Sequence, residues 1–193
     1  MSQRVRAFIA VDVSQEAKAA LASIVSRLKM ETEGDNIRWV RSEGIHLTLK
    51  FLGNVESALV QPVLAAVERA VLSTHPFQIT LSKIGAFPRL EVPRVIWVGL
   101  QGDLEALSAL QQRMEDEVSP LGFPEEERPF SPHLTLGRVN NGPVRRGGKG
   151  LNLAGVTLTD QVAWQVEEVH LMQSTPTQSG SMYTRLGSFP LSG

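Results

Sequence analysis

Four histidines occur in the chain, and two of them open the same tetrapeptide, His-Leu-Thr-Leu, at His46 to Leu49 and His133 to Leu136. An imidazole titrates near neutrality, so it can take or give a proton at ordinary pH. A threonine hydroxyl can donate to an oxyanion. In a strand, side chains alternate between faces, so His46 and Thr48 share one face, as do His133 and Thr135, while the leucines point into a core. Two such faces brought together across a cleft would hold a base for an incoming oxygen, an acid for a departing one and two donors for charge developing between them. In-line attack at phosphorus needs that set and no metal. The alternative is that His46 and His133 are ordinary strand histidines and that threonine was taken for its β preference.

Other chemistry finds less support. Cysteine is absent, which excludes disulfides and thiolate metal sites. The stretch Asn140 to Gly150 looks like a phosphate loop, but Pro143 stands where the first glycine of a Walker motif belongs, and no Ser or Thr follows Lys149. It reads as a surface connection rather than a basic flap over RNA. No Gly-x-Ser-x-Gly elbow exists to anchor serine hydrolysis. Neither motif histidine has a partner at metal-ligand spacing, so no metal and no cofactor is expected. His75, before Pro76, reads as a solvated residue at a helix end, and His170, between Val169 and Leu171, as structural.

The elements that would carry the motifs alternate between strands and helices. Val5 to Val13 reads as a strand. Ser14 then caps a helix with Ala17, Leu21, Ile24, Val25 and Leu28 at helical spacing, which Gly34 ends. Arg38 to Val40 and Ile45 to Leu52 are expected strands, Ser57 to Leu72 a helix, and Phe77 to Ile84 with Val95 to Leu100 a hairpin-like pair. Asp103 is expected to cap a third helix reaching about Val118. Val162 to Met172 and Met182 to Phe189 read as closing strands. The equivalent histidines lie nearly half the chain apart, which points to an α+β fold of two pseudo-symmetric lobes, each an antiparallel sheet with helices on its outer face.

Composition restricts the setting. At 193 residues the chain can bury a core as one domain or two small lobes. The apolar run Ala7 to Val11 is too short for a signal peptide's core or a membrane span, so a cytoplasmic protein is expected. The net charge of −1 provides no global basic field, so any RNA contact should be local, at an end or over a few nucleotides.

The flanks of the motifs resemble a known family. Arg38-Trp39-Val40, His46-Leu-Thr-Leu-Lys-Phe-Leu-Gly53 and Phe130-Ser-Pro-His133-Leu-Thr-Leu-Gly-Arg138 are similar to the bacterial and archaeal RNA 2′,3′-cyclic phosphodiesterases. These are also called 2′-5′ RNA ligases or LigT-like proteins, of the 2H phosphoesterase superfamily. The likeness runs over nearly the whole chain, including Val169 to Ser174 and Gly180 to Tyr183. It implies one domain over residues 1–193 with an active cleft between two lobes, whose boundaries the sequence does not assign. It also implies hydrolysis of RNA 2′,3′-cyclic phosphate ends to 2′-phosphomonoesters, with 2′-5′ ligation as the reverse reaction.

The same resemblance makes His133 the base that activates water, His46 the acid that protonates the 3′ oxygen, and Arg138 and Phe51 substrate contacts. Arg138 and Phe51 each lie five residues after a motif histidine, on the wrong face of a regular strand, although Gly137 would permit a bulge that re-aims Arg138. Lys50 has the parity of His46 and Thr48 and could add positive potential, while Arg38 and Trp39 could line the cleft or brace it. RNA ends or cyclic nucleotides are the expected partners, and a monomer the expected state. Two other functions stay open: a non-catalytic RNA-end binding module, and a phosphodiesterase for a small cyclic phosphate.

Overall fold

The first strand, β1 (Arg4–Asp12), carries Ala7, Phe8, Ile9, Ala10 and Val11 in succession, all of them buried. A strand apolar on both sides must be covered on both faces, and in the computed structural model β1 lies inside a sheet, between two other strands. The structure describes residues 4–32, 37–140, 162–178 and 180–193. After β1 come α1 (Gln15–Glu31), β2 (Ile37–Trp39), β3 (His46–Glu56), α2 (Ser57–Val71), β4 (Phe77–Phe87), β5 (Val95–Gly102) and α3 (Leu104–Val118). The chain closes with β6 (His133–Val139), β7 (Ala163–Val166), β8 (Glu168–Thr177) and β9 (Gly180–Pro190).

Among the described residues the strands form one antiparallel sheet in the order β7-β4-β5-β6-β3-β1-β8-β9, with β2 attached to β6. The two motif strands, β3 and β6, are therefore neighbours at its centre. Around them the order is symmetric: β1 corresponds to β5, β8 to β4 and β9 to β7. This is the two-lobed α+β architecture that the motif spacing predicts. The lobes are not sequence halves, because β4 sits beside β5 in the second lobe while β8 returns to β1 in the first. No single cut of the chain separates them.

Local signals place most element ends. The Ser14 side chain accepts from the backbone N–H of Ala17 at 3.1 Å and starts α1. The expected stop at Gly34 lies outside the described residues, as does the glycine- and arginine-rich stretch after Asn140. Asp103 precedes α3 as expected, but its carboxylate does not cap the helix; it accepts instead from the Gln78 N–H at 2.9 Å and ties α3 to β4.

The largest departure concerns Val162 to Met172, which the apolar pattern joins into one strand. The chain instead makes β7 on β4, breaks at Glu167, and begins β8 on β1 in the other lobe. Periodicity cannot register such a crossing, because both pieces have strand alternation. One hydrophobic cluster runs through α1, α2, α3 and the helix-facing side of the sheet, where Ile9, Leu47, Ile96, Leu134 and Leu171 are at most 1% exposed. No helix among the described residues is long and apolar enough to cross a membrane.

Candidate active site

Leu47 and Leu134 form the bridge between β3 and β6. Directly opposed residues of an antiparallel pair project from the same face, and both leucines are fully buried on the helix side. Their neighbours must project from the other face. His46, Thr48, His133 and Thr135 therefore share one surface, all half-buried. One step either way from the bridge, the antiparallel register sets His46 across from Thr135 and Thr48 across from His133. The first residues of β6 lie against β3, while its last three pair with β2 instead, so the sheet divides just beyond the two motifs.

A bulge in each motif strand decides what lies next to these four. On β1, Thr48 pairs with Ala10 and Phe51 with Phe8. Ala10 and Phe8 are two residues apart on one face, so Phe51 joins the face of Thr48 although three residues separate them. Phe51 is 63% exposed there. The second motif repeats the device: Thr135 pairs with Trp97 and Arg138 with Val95, which puts Arg138, exposed, on the histidine face.

Lys50 goes the other way. Its parity with His46 in a regular strand is undone by the bulge, and it pairs with Ile9 on the core face. There it is 5% exposed and forms an ion pair with the buried Glu115 of α3, which also accepts from Gln111 at 2.9 Å. It therefore adds no potential to the cleft. At the matching position of the second motif, a Cβ on Gly137 would approach the Trp39 ring to 2.9 Å. Trp39 thus braces β6 from the core face, and Arg38, opposite Arg138, projects with the site.

Both imidazoles are held the same way. His46 Nδ1 lies 2.8 Å from the Gly44 carbonyl and His133 Nδ1 lies 2.7 Å from the Ser131 carbonyl. A carbonyl only accepts, so each Nδ1 carries the proton and each Nε2 is left for chemistry, a base when neutral and an acid when charged. Neither threonine hydroxyl has a hydrogen-bond partner among the described residues.

The surroundings of the two rings differ. Phe8 stacks on His46 with centroids 4.6 Å apart, and Tyr183 meets its edge at 5.0 Å. Phe87 meets His133 edge-on at 5.0 Å, with Trp97 at 6.4 Å. Burial in this setting pushes the His46 pKa below the usual imidazole range. The Gly44 carbonyl and the Asp12 charge oppose that shift, and Lys18 adds to it. Asp12 lies opposite His46 in the β1–β3 register and is held by Arg185.

Phe8, Tyr183, Phe87, Trp97 and Asp12 have no chemical motif of their own, and only strand pairing brings them to the histidines. His75 is exposed. His170 is 2% exposed, bonds Ser188 Oγ at 3.0 Å through Nδ1 and lies 3.6 Å from Asp12, which fits a structural residue. Among the described residues, no group of three or more His, Cys, Asp or Glu side chains could hold a metal ion.

Comparison with known proteins gives the family. The model of the LigT like Phosphoesterase family matches the chain twice, over residues 11–97 and 98–183, so each match contains one histidine motif. A protein of Methanothermobacter thermautotrophicus named RNA 2′,3′-cyclic phosphodiesterase is 34% identical over 97% of this chain and 100% of its own length. Another of that name from Thermotoga maritima is 36% identical over 72% of each chain. A crystal structure from Thermus thermophilus superposes with a TM-score of 0.81 at 28% identity, covering 97% of this chain and 98% of that one. Two matches to the family's model, together spanning most of the chain, and a relative 34% identical over nearly its whole length place this chain in the LigT-like phosphoesterase family.

Proposed function

We propose that the protein hydrolyses the 2′,3′-cyclic phosphate at an RNA end and leaves a 2′-phosphomonoester. The observation that carries this reading is the crossed arrangement at the Leu47–Leu134 bridge. It sets on one face two imidazoles bonded through Nδ1 and two hydroxyls that have no partner among the described residues. The relatives named above carry the name of the same activity.

In this mechanism His133 Nε2 takes a proton from water, whose oxygen attacks phosphorus in line with the 3′ oxygen. The new P–O bond forms as the bond to the 3′ oxygen breaks, and His46 Nε2 delivers its proton to that leaving oxygen. Thr48 and Thr135 donate to the non-bridging oxygens, where charge accumulates. Arg138 adds a substrate-binding cation at the β2 end of the site, and Phe51 offers a ring to the nucleobase. Burial makes the His46 imidazolium a stronger acid than a free one, and the negative phosphodiester beside it favours the protonated form. Exchange with solvent restores both histidines.

The reverse path, with a 5′-hydroxyl in place of water, gives a 2′-5′ linkage, and water in excess favours hydrolysis. Both catalytic halves lie within one chain. No second copy is needed to complete the site, which supports action as a monomer, and the chain is proposed to work as a single domain over 1–193 in the cytoplasm. The test is incubation with an RNA ending in 2′,3′-cyclic phosphate, followed by location of the product phosphate. A 2′-phosphate is expected. An intact ring sinks the reading, and a 3′-phosphate overturns the assignment of the leaving oxygen.

A further inference from the structure

Arg38 stands directly across from Arg138 in the β2–β6 ladder. Like charges so placed repel one another. Both side chains are exposed, and among the described residues neither has an ion-pair partner that would offset the repulsion. Opposed residues share a face, so Arg38 projects with Arg138, His133 and Thr135. On β5, the partner of Arg138 is two residues from the partner of Thr135. The Arg138 backbone therefore lies about 7 Å along the sheet from that of Thr135, with Arg38 beside it on β2, so the two long side chains start from the far end of the site. The other motif strand differs at its matching end. There Phe51 has Phe8 as its strand partner, with ring centroids 6.2 Å apart, so an aromatic pair stands where the second motif has two arginines. In a protein of net charge −1, a cation pair at one end of the site is a local feature and not part of a general basic field.

Guanidinium groups match phosphate in geometry as well as charge. A cyclic mononucleotide carries one phosphate, which the histidines and threonines occupy. We infer that Arg38, together with Arg138, forms a second anion subsite for the phosphodiester joining the terminal nucleotide to its 5′ neighbour, so that the site selects the end of an RNA chain over a free cyclic nucleotide. This rests on the phosphodiesterase reading above.

The experiment compares kcat/KM for a 2′,3′-cyclic mononucleotide and for a short oligonucleotide with the same terminal nucleotide, across a range of salt. The wild-type protein should prefer the oligonucleotide, and the preference should shrink as salt rises, because a phosphate contact releases counterions. Arg38→Gln should lose about tenfold or more of that preference, mainly through KM, and Arg38→Lys should keep part of it. Equal kcat/KM for the two substrates, a preference indifferent to salt, or equal losses on both in Arg38→Gln would overturn the subsite. The salt series on the wild-type protein decides the matter even if the variants fold poorly. Turnover of the mononucleotide without preference leaves the phosphodiesterase reading standing, whereas turnover of neither substrate removes both.

Discussion

Leu47 faces Leu134 across the joint between the two lobes, and each is fully buried. The pair sets which residues lie opposite one another in the site, so packing on one face of the sheet controls chemistry on the other. Truncating either leucine to alanine should cost about 2–5 kcal/mol, the usual range for a buried leucine with its cavity. Urea unfolding measures this. A cost below about 1 kcal/mol would mean that the joint is held elsewhere.

The two histidines should be separable by leaving group. His46→Ala and His133→Ala should each lower kcat by roughly a hundred- to ten-thousandfold, the ordinary worth of one general acid or base. A substrate whose departing oxygen needs no proton should rescue His46→Ala and leave His133→Ala slow. Rescue of His133→Ala instead would reverse the roles.

Removing one hydroxyl should matter less. Thr48→Ala or Thr135→Ala is expected to slow turnover by about ten- to a thousandfold, as loss of a single oxyanion donor does. Unchanged rates in both variants would leave the threonines as strand formers.

Lys50 and Glu115 form a buried pair, and breaking one side strands a charge in the core. Lys50→Met should therefore destabilise the fold by about 3–5 kcal/mol, while Lys50→Met combined with Glu115→Leu should recover most of the loss. A double variant no better than the single one would show that the pair contributes more than mutual neutralisation.

Burial lowers the pKa of both His46 and His170 below the imidazole value of 6.5. For His170 the Asp12 and Glu168 charges oppose the shift and Arg185 adds to it. Below 6.5 the unfolded chain therefore binds protons that the folded one resists. Stability should be fully present above that pH and fall as pH drops toward the folded values. His170→Gln should flatten the decline in unfolding free energy as pH falls below 6.5. An identical slope in the variant would show that His170 does not contribute.

The chemical inventory is legible in the chain alone. Two identical tetrapeptides supply two imidazoles and two hydroxyls, because a strand's period of two fixes which of four adjacent residues share a face; which imidazole would be acid and which base, identical motifs do not say. Their spacing along the chain is enough for two related lobes. Everything that depends on which strand lies beside which came from the folded molecule. Lys50 and Phe51 exchange faces because β1 is one residue short opposite β3, and a bulge that depends on the partner strand leaves no mark in the motif itself. Glu167 divides an apparently continuous strand between lobes because an edge position beside β4 and an interior one beside β1 accept the same alternation. The aromatic walls of the two histidines come from β1, β4, β5 and β9, remote in sequence and brought together only by long-range pairing, which a one-dimensional pattern does not encode.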